Sequence, residues 1–104
     1  MKKNQDHFNI LRFIVNKPGS SQRQLANYLG FSLGKLNYCL RELKKKGLIK
    51  IDNFKSNPKK LNYAYILTPK GIAEKTSLTI NFMKRKMQEY EELKSEIDKK
   101  NDKL

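Results

Sequence analysis

Apolar residues recur three and four positions apart in the first part of the chain, which is the spacing of one helix face. The apolar positions are Ile10, Leu11, Ile14 and Val15. The Pro18-Gly19 pair that follows them cannot continue a helix. The pattern predicts a helix over residues 6–16 that is buried on much of its circumference, with His7 near its start as a partly exposed structural residue.

A second, shorter helix over residues 22–29 is predicted from the signals at its two ends. Ser20 or Ser21 can act as its N-cap, since their hydroxyl oxygens can accept a backbone N–H. Gly30 follows the last apolar residue, at the position where a helix end favours a left-handed conformation. The apolar face of this helix consists of Leu25, Ala26 and Leu29.

A third helix is predicted between Ser32, which is its N-cap, and Gly47, which ends it. The inward stripe of this helix is formed by Leu33, Leu36, Leu40 and Leu43. Cys39 falls beside the stripe, so we expect a small buried residue there, with a redox sensor as the alternative.

Two runs rich in strand-favouring residues follow, at 48–54 and 61–67. The segment between them, residues 55–60, is polar and contains an Asn-Pro turn and three lysines. The two runs therefore predict a β-hairpin with a basic tip, which we call the wing.

The last third of the chain, from Pro69 onward, contains no further proline and only Gly71 as a helix-weakening residue. This predicts a helix of about 30 residues, or ~45 Å, which is too long for one small core. Seven-residue spacing defines a heptad seam on it, formed by Ile80, Met83, Met87, Tyr90, Ile97 and Leu104. The seam predicts a coiled coil, most simply a homodimer, that weakens at Lys94 and Asn101. Higher oligomers, or a helix that folds back on its own domain, are the alternatives.

Composition narrows the class of protein. The 104 residues include 23 lysines and arginines against 10 acidic residues, a net charge of +13. No apolar stretch suits a membrane helix or a signal peptide, and one cysteine and one histidine exclude a disulfide scaffold and a Cys/His zinc site. Neither a nucleophile–base pair nor a phosphate-binding glycine loop is visible. We therefore expect a cytoplasmic protein that is not an enzyme, has no cofactor or metal, and binds a polyanion.

The excess of positive charge is concentrated in residues 17–60, which contain eleven basic and two acidic residues. Helices two and three and the wing follow one another in the order of a winged helix-turn-helix. The turn itself resembles the helix-turn-helix family, in which a small residue stands four positions before a turn glycine, here Ala26 and Gly30. With Leu36 pointing inward, the outward face of helix three consists of Gly34, Tyr38, Arg41 and Lys45.

We predict DNA contacts from this arrangement. The contacts of the third helix are Ser32, Gly34, Lys35, Asn37, Tyr38, Arg41 and Lys45. Asn37 suits adenine, and Arg41 or Lys35 suits guanine. Phosphates are assigned to backbone amides at the start of helix two and to the wing tip, at Ser21, Gln22, Arg23, Lys55, Lys59 and Lys60. Lys44 to Lys46 either add to this surface or form a solvated helix end.

The chain resembles small bacterial winged-helix regulators of the MarR type, and especially the short EPS-associated subgroup found near exopolysaccharide genes. The resemblance is carried by residues 21–26, 29–38 and 63–73. It implies control of the transcription of polysaccharide biosynthesis genes. Typical MarR proteins are longer, dimerise through helices at both ends and hold an effector between their dimerisation and DNA-binding parts. Because this chain has one short N-terminal helix and one long C-terminal helix, we expect no small-molecule effector.

The sequence thus predicts a mainly α fold with a β-hairpin wing. Residues 1–68 would form a winged helix-turn-helix DNA-binding domain, and 69–104 a long dimerisation helix. The expected function is sequence-specific double-stranded DNA binding in transcription regulation. One alternative is a winged-helix module that binds protein. Another is an RNA or single-strand binder that stacks bases on Tyr63 or Tyr65. A membrane binder is disfavoured because the tail is nearly neutral.

Overall fold

The computed structural model describes residues 2–52, 59 and 63–102. Within these residues the elements follow in the order α1 (Lys2–Asn16), α2 (Gln22–Leu29), α3 (Leu33–Lys45), β1 (Ile49–Ile51), β2 (Tyr65–Leu67) and α4 (Pro69–Asp102). The mainly helical fold with a two-stranded wing and a long C-terminal helix, predicted from the sequence, is confirmed. No helix in the described part of the chain is long and apolar enough to cross a membrane.

Helices α1, α2 and α3 enclose one hydrophobic core, to which β1 and β2 contribute. Its most deeply buried apolar side chains are Ile10, Leu11, Leu25, Leu36, Leu40, Leu43 and Ile49. Two predicted core positions are wrong: Val15 is 47% exposed and Leu33 is 36% exposed. Val15 follows Ile14, which already faces the core, so its own side chain points away. Leu33 is the first residue of α3 and lies at the core edge.

The turn between α2 and α3 has the geometry predicted from its residues. Gly30 adopts a left-handed conformation with φ of 70° and donates its N–H toward the carbonyls of Ala26 and Asn27. Ala26 is buried, and its small side chain lets the two helices cross closely. The N-caps are Ser21 and Ser32, as expected.

The wing is an antiparallel pair in which Ile49 lies opposite Leu67 and Ile51 opposite Tyr65. Each strand has three residues, fewer than the seven predicted, although the Asp52 N–H still donates to the Ala64 carbonyl at 2.8 Å. Residues 53–58 and 60–62 lie outside the described part of the chain, so the predicted wing tip is not described beyond Lys59.

Helix α4 is joined to the end of α3 through Thr68. The Thr68 N–H donates to the Leu48 carbonyl at 3.0 Å, and its hydroxyl donates to the Gly47 carbonyl. The same hydroxyl oxygen accepts the N–H of Gly71 at 3.0 Å, which caps the helix. Further along, Leu78 packs against the core and the Phe82 ring contacts Phe8 at 5.6 Å. The rest of α4 projects beyond the core and accounts for the 66 Å long axis of the molecule.

Candidate nucleic-acid interface

Helix α3 presents its predicted outward face to solvent. Gly34, Tyr38, Arg41 and Lys45 are all exposed, and Tyr38 is exposed to 58%. The opposite side of the helix is anchored in the core by Leu36, Cys39, Leu40 and Leu43. Core packing thus fixes the rotation of α3 and leaves this outward face free for a ligand. Cys39 is buried to 5% exposure, as predicted.

Lys35 occupies a different position from the rest of the predicted contact set. Its ammonium Nζ lies 3.2 Å from Asp6 Oδ2 and 4.1 Å from the centroid of the Phe31 ring. Lys35 therefore sits on the flank of α3 that faces α1, and part of its charge is neutralised by Asp6. No local pattern predicts this ion pair, because only the tertiary fold brings Asp6 and Lys35 together.

His7 lies on the same flank and is buried, with Nε2 3.6 Å from Glu42 Oε1. The expectation of a partly exposed histidine is wrong. Because α1 begins at Lys2, His7 lies in its second turn, where it packs toward α3. Together with the Asp6–Lys35 pair, this contact holds α1 against one side of α3.

The other flank of α3 forms a cleft with the wing, with a volume of about 190 Å³. The cleft is lined by Asn37, Leu40, Arg41, Lys44, Ile51, Tyr63 and Tyr65. Within the described residues, the buried Oδ1 of Asn37 has no hydrogen-bond partner. The cleft thus places the buried, unpaired amide oxygen of Asn37 beside two exposed cations, Arg41 and Lys44, whose N–H groups can donate to base edges or phosphates.

The start of α2 is capped on itself. The Ser21 hydroxyl accepts the Gln24 N–H, and the Gln24 side chain accepts the Ser21 N–H at 2.9 Å. Of the three backbone N–H groups predicted to hold a phosphate, the capping box therefore engages that of Ser21 and leaves out those of Gln22 and Arg23.

The side chain of Gln22 is a core group rather than a surface one. It is 1% exposed, and its amide Nε2 donates to the Tyr65 hydroxyl at 3.1 Å. Burial raises the pKa of the Tyr65 phenol above its usual range, because the phenolate would lose its hydration; the hydrogen bond from Gln22 opposes this rise. The bond ties the first turn of α2 to the returning strand of the wing.

Of the predicted wing-tip cations, the structure describes Lys59, which is exposed, whereas Lys55 and Lys60 lie outside the described residues. The predicted DNA contacts that the structure describes are therefore those of α3, the start of α2 and Lys59. The structure leaves the geometry of the wing tip undescribed.

The heptad seam of α4 is exposed over most of its length. Ile80, Met83, Met87, Tyr90 and Ile97 are 48–63% exposed, and Leu104 lies outside the described residues. Two further exposed apolar residues of α4, Ile72 and Leu93, were missed because they fall outside the seven-residue spacing. This face of α4 has no partner within the described part of the chain. The division between a DNA-binding and a dimerisation domain stays a prediction.

A second cavity, of about 230 Å³, lies between α1, the end of α3 and α4. It is lined by His7, Leu11, Lys46, Leu48, Lys70, Glu74 and Leu78. Lys70 Nζ donates to the carbonyl of Lys46 at 3.0 Å across its rim. Sequence reasoning did not predict this cavity, because its lining comes from distant segments.

Comparison with known proteins agrees with this architecture. Residues 6–50 match the family described as winged helix-turn-helix DNA-binding. No curated protein sequence matches the chain. MarR of Staphylococcus aureus, solved in complex with salicylate and kanamycin, has a TM-score of 0.73 and 20% identity, covering 84% of this chain and 57% of that one.

Two other solved structures are similar. A MarR-family transcription regulator has a TM-score of 0.71 and 24% identity, covering 86% of this chain and 62% of that one. A mutant of Staphylococcus aureus MepR bound to an oligodeoxyribonucleotide has a TM-score of 0.65 and 20% identity, covering 95% of this chain and 75% of that one.

The chain spans about three fifths of the length of the first two structures. The expectation that no small molecule binds is not supported, because one of these neighbours was solved with salicylate and kanamycin. The family match over 6–50 and the shared architecture show that this chain has the winged helix-turn-helix fold found in MarR-family transcription regulators.

Proposed function

We propose that this protein is a sequence-specific double-stranded DNA-binding transcriptional regulator that acts as a homodimer, with α3 as its recognition helix. The observation that carries this proposal is the exposed outward face of α3, anchored from behind by the core. A helix held in this way can enter the major groove, whose width admits it. Similarity to a MepR mutant bound to an oligodeoxyribonucleotide supports the same function.

Base reading is assigned to the side of α3 that faces the wing. Among the described residues, the amide oxygen of Asn37 is unpaired but buried there, so its side chain would have to turn outward to make two bonds to adenine. Arg41 is exposed beside it and can make two bonds to guanine. Lys45, the exposed Lys59 and the free N–H groups at the start of α2 would hold phosphates, which position the protein without specifying a sequence.

Dimerisation is assigned to the heptad seam of α4, because a helix that exposes this many apolar side chains gains free energy by covering them. Two-fold symmetry would place the recognition helices on two half-sites about one turn of DNA apart. Exopolysaccharide biosynthesis genes are the proposed targets, and the support for them is the resemblance to the EPS-associated subgroup.

The experiment that tests this function is selection of bound duplexes from a random DNA pool at ~0.15 M salt, with excess nonspecific competitor, because cations bind any DNA at low salt. We expect enrichment of an inverted repeat. Arg41→Ala should then lose discrimination between the selected site and random DNA, whereas Lys59→Ala should weaken both alike. Equal losses for both variants on both DNAs would refute the assignment of base reading.

The cavity between α1 and α4 is proposed as an effector site for a small anionic molecule. Its lining combines Lys46 and Lys70 with three leucines, with His7 and with one carboxylate, that of Glu74, and a similar structure was solved with salicylate. Salicylate should raise the melting temperature of the protein in a saturable way, and Lys70→Met should reduce this effect. No shift at millimolar salicylate would remove this ligand from consideration.

A further inference from the structure

Between Lys84 and Asp98 the exposed part of α4 carries its charges in two separate blocks, and Lys99 and Lys100 follow them. Three consecutive cations, Lys84, Arg85 and Lys86, lie just beyond the segment that packs on the core. The next block, residues 89–98, holds five acidic residues and one lysine, a net charge of −4. The heptad seam runs through both blocks and is exposed in each.

We infer that two copies of α4 pair through the heptad seam in antiparallel orientation, with Ile80 opposite Ile97 of the second copy and Met87 opposite Tyr90. This inference rests on the proposed homodimer and specifies its geometry. Antiparallel pairing brings the basic block of each helix alongside the acidic block of the other. Parallel pairing would instead place the two basic blocks side by side and the two acidic blocks side by side, where like charges repel.

Lys94 gives a second reason for this orientation. It occupies a seam position between Tyr90 and Ile97. In a parallel pair, Lys94 of one helix would lie opposite Lys94 of the other, with two ammonium groups held in the seam. In the antiparallel register, Lys94 instead lies opposite Met83 of the second copy. Its aliphatic stem can cover that side chain while its charge reaches solvent.

The residues that flank the seam agree with the same register. Antiparallel pairing places Lys84 beside Glu91 of the second copy, and this pair occurs twice by symmetry. Lys84 forms no ion pair within the described part of the chain. Lys86, the cation that a parallel pair would offer to Glu91, is already engaged in its own helix. Its Nζ lies 3.4 Å from Glu89 Oε2 and 5.4 Å from the centroid of the Phe82 ring.

The register also fixes how far apart the two DNA-binding halves lie. The part of α4 that packs on the core is centred near residue 76, which would lie opposite residue 101 of the second copy. The offset between the two cores along α4 is then about 38 Å, at 1.5 Å per residue. Half-sites one turn of DNA apart are separated by about 34–36 Å, which is similar to this offset.

Cysteine cross-linking of the full chain tests the orientation. Ile80→Cys and Ile97→Cys chains are prepared separately, then oxidised alone and after mixing and re-equilibration. The antiparallel dimer should give a disulfide only in the mixture, since residue 97 lies about 25 Å from residue 97 of the other copy. The unsubstituted chain is the control, because its one cysteine, Cys39, is buried.

Charge reversal provides an independent measurement that does not alter the seam. Lys84→Glu and Glu91→Lys should each weaken the dimer about tenfold in sedimentation equilibrium, because two attractions become two repulsions. The double variant should recover to within about threefold of the original dissociation constant. The matched control, Lys86→Glu, changes the charge of the same block at a residue that pairs with Glu89 of its own helix, so it should weaken the dimer by no more than about threefold.

The outcomes separate this inference from the proposed function. A cross-link formed within each variant alone would show a parallel pair and overturn the antiparallel assignment. A monomeric protein, or a dimer that forms no cross-link, would also overturn it. The selection of duplexes reports on DNA binding by itself. Loss of sequence preference with an intact 80–97 cross-link would reject the regulator and keep the dimer.

Discussion

Substitution of Gly71 by alanine tests the attachment of α4 to the rest of the fold. Gly71 lies in the first turn of α4 and is buried against the backbone of Leu48. A Cβ at this position would overlap the carbonyl oxygen and carbon of Leu48. Because the obstacle is backbone rather than a flexible side chain, no rotamer change can relieve it. The first turn of α4 must move away.

The expected cost follows from what this movement disrupts. Overpacking of a close contact costs about 1–3 kcal/mol. The Thr68 N–H donates to the same Leu48 carbonyl at 3.0 Å, so a displaced α4 also weakens that hydrogen bond, at about 1 kcal/mol. Alanine returns at most ~1 kcal/mol through its higher helix propensity. We therefore expect Gly71→Ala to lower the free energy of unfolding by about 1–3 kcal/mol.

Urea unfolding followed by far-UV circular dichroism measures this change, at one fixed protein concentration because a dimer's stability depends on concentration. Gly34→Ala is the matched control, since Gly34 also lies in a helix but a Cβ there would meet open space. A free energy for Gly71→Ala within about 0.5 kcal/mol of the original chain would refute the close approach of α4 to Leu48.

Three further predictions concern single contacts. Gly34→Ala should raise the free energy of unfolding by about 0.5–1 kcal/mol yet weaken binding to the selected duplex, because the new methyl lies on the outward face of α3; equal or tighter binding would place Gly34 away from DNA. Tyr65→Phe should cost about 1–3 kcal/mol in urea unfolding, since it strands the buried Gln22 amide. Because its pKa is raised in the folded state, the Tyr65 phenol stabilises the fold fully below pH about 10, and this contribution declines as pH rises through the raised pKa. The decline should be absent in Tyr65→Phe, and a decline as steep as in the original chain would assign it elsewhere. Asp6→Asn should free Lys35 and steepen the plot of log binding constant against log salt by about 0.9, with unfolding changed by less than about 0.5 kcal/mol; an unchanged slope would exclude Lys35 from the phosphate contacts.

Helices whose start and end are set by neighbouring residues were predictable from the sequence. The N-caps Ser21 and Ser32 and the left-handed Gly30 act through backbone groups within four positions of themselves. The outward face of α3 was also predictable, because one inward leucine, Leu36, fixes the rotation of a regular helix. These signals are local, so the tertiary fold did not need to be known.

Features that depend on distant segments were not predictable. His7 is buried because α1 packs beside Glu42 of α3. Lys35 of α3 pairs with Asp6, which also lies on α1. Gly71 looked like a weak point in a long helix, whereas the fold requires it for the approach to Leu48. In each case the deciding partner is more than twenty positions away, where neither periodicity nor capping carries information.

The Thr68 junction gives α4 the mechanical role of a stiff lever arm. Its hydroxyl and N–H donate to the carbonyls of Gly47 and Leu48, just beyond α3, so the direction of α4 depends on the position of α3. A rod of about 51 Å that turns by ~5° at such a pivot moves its tip by about 4 Å, more than one base-pair step of DNA. In the proposed dimer, small changes at the pivot, where the cavity beside α1 also lies, would therefore be amplified into shifts in the spacing of the two half-sites.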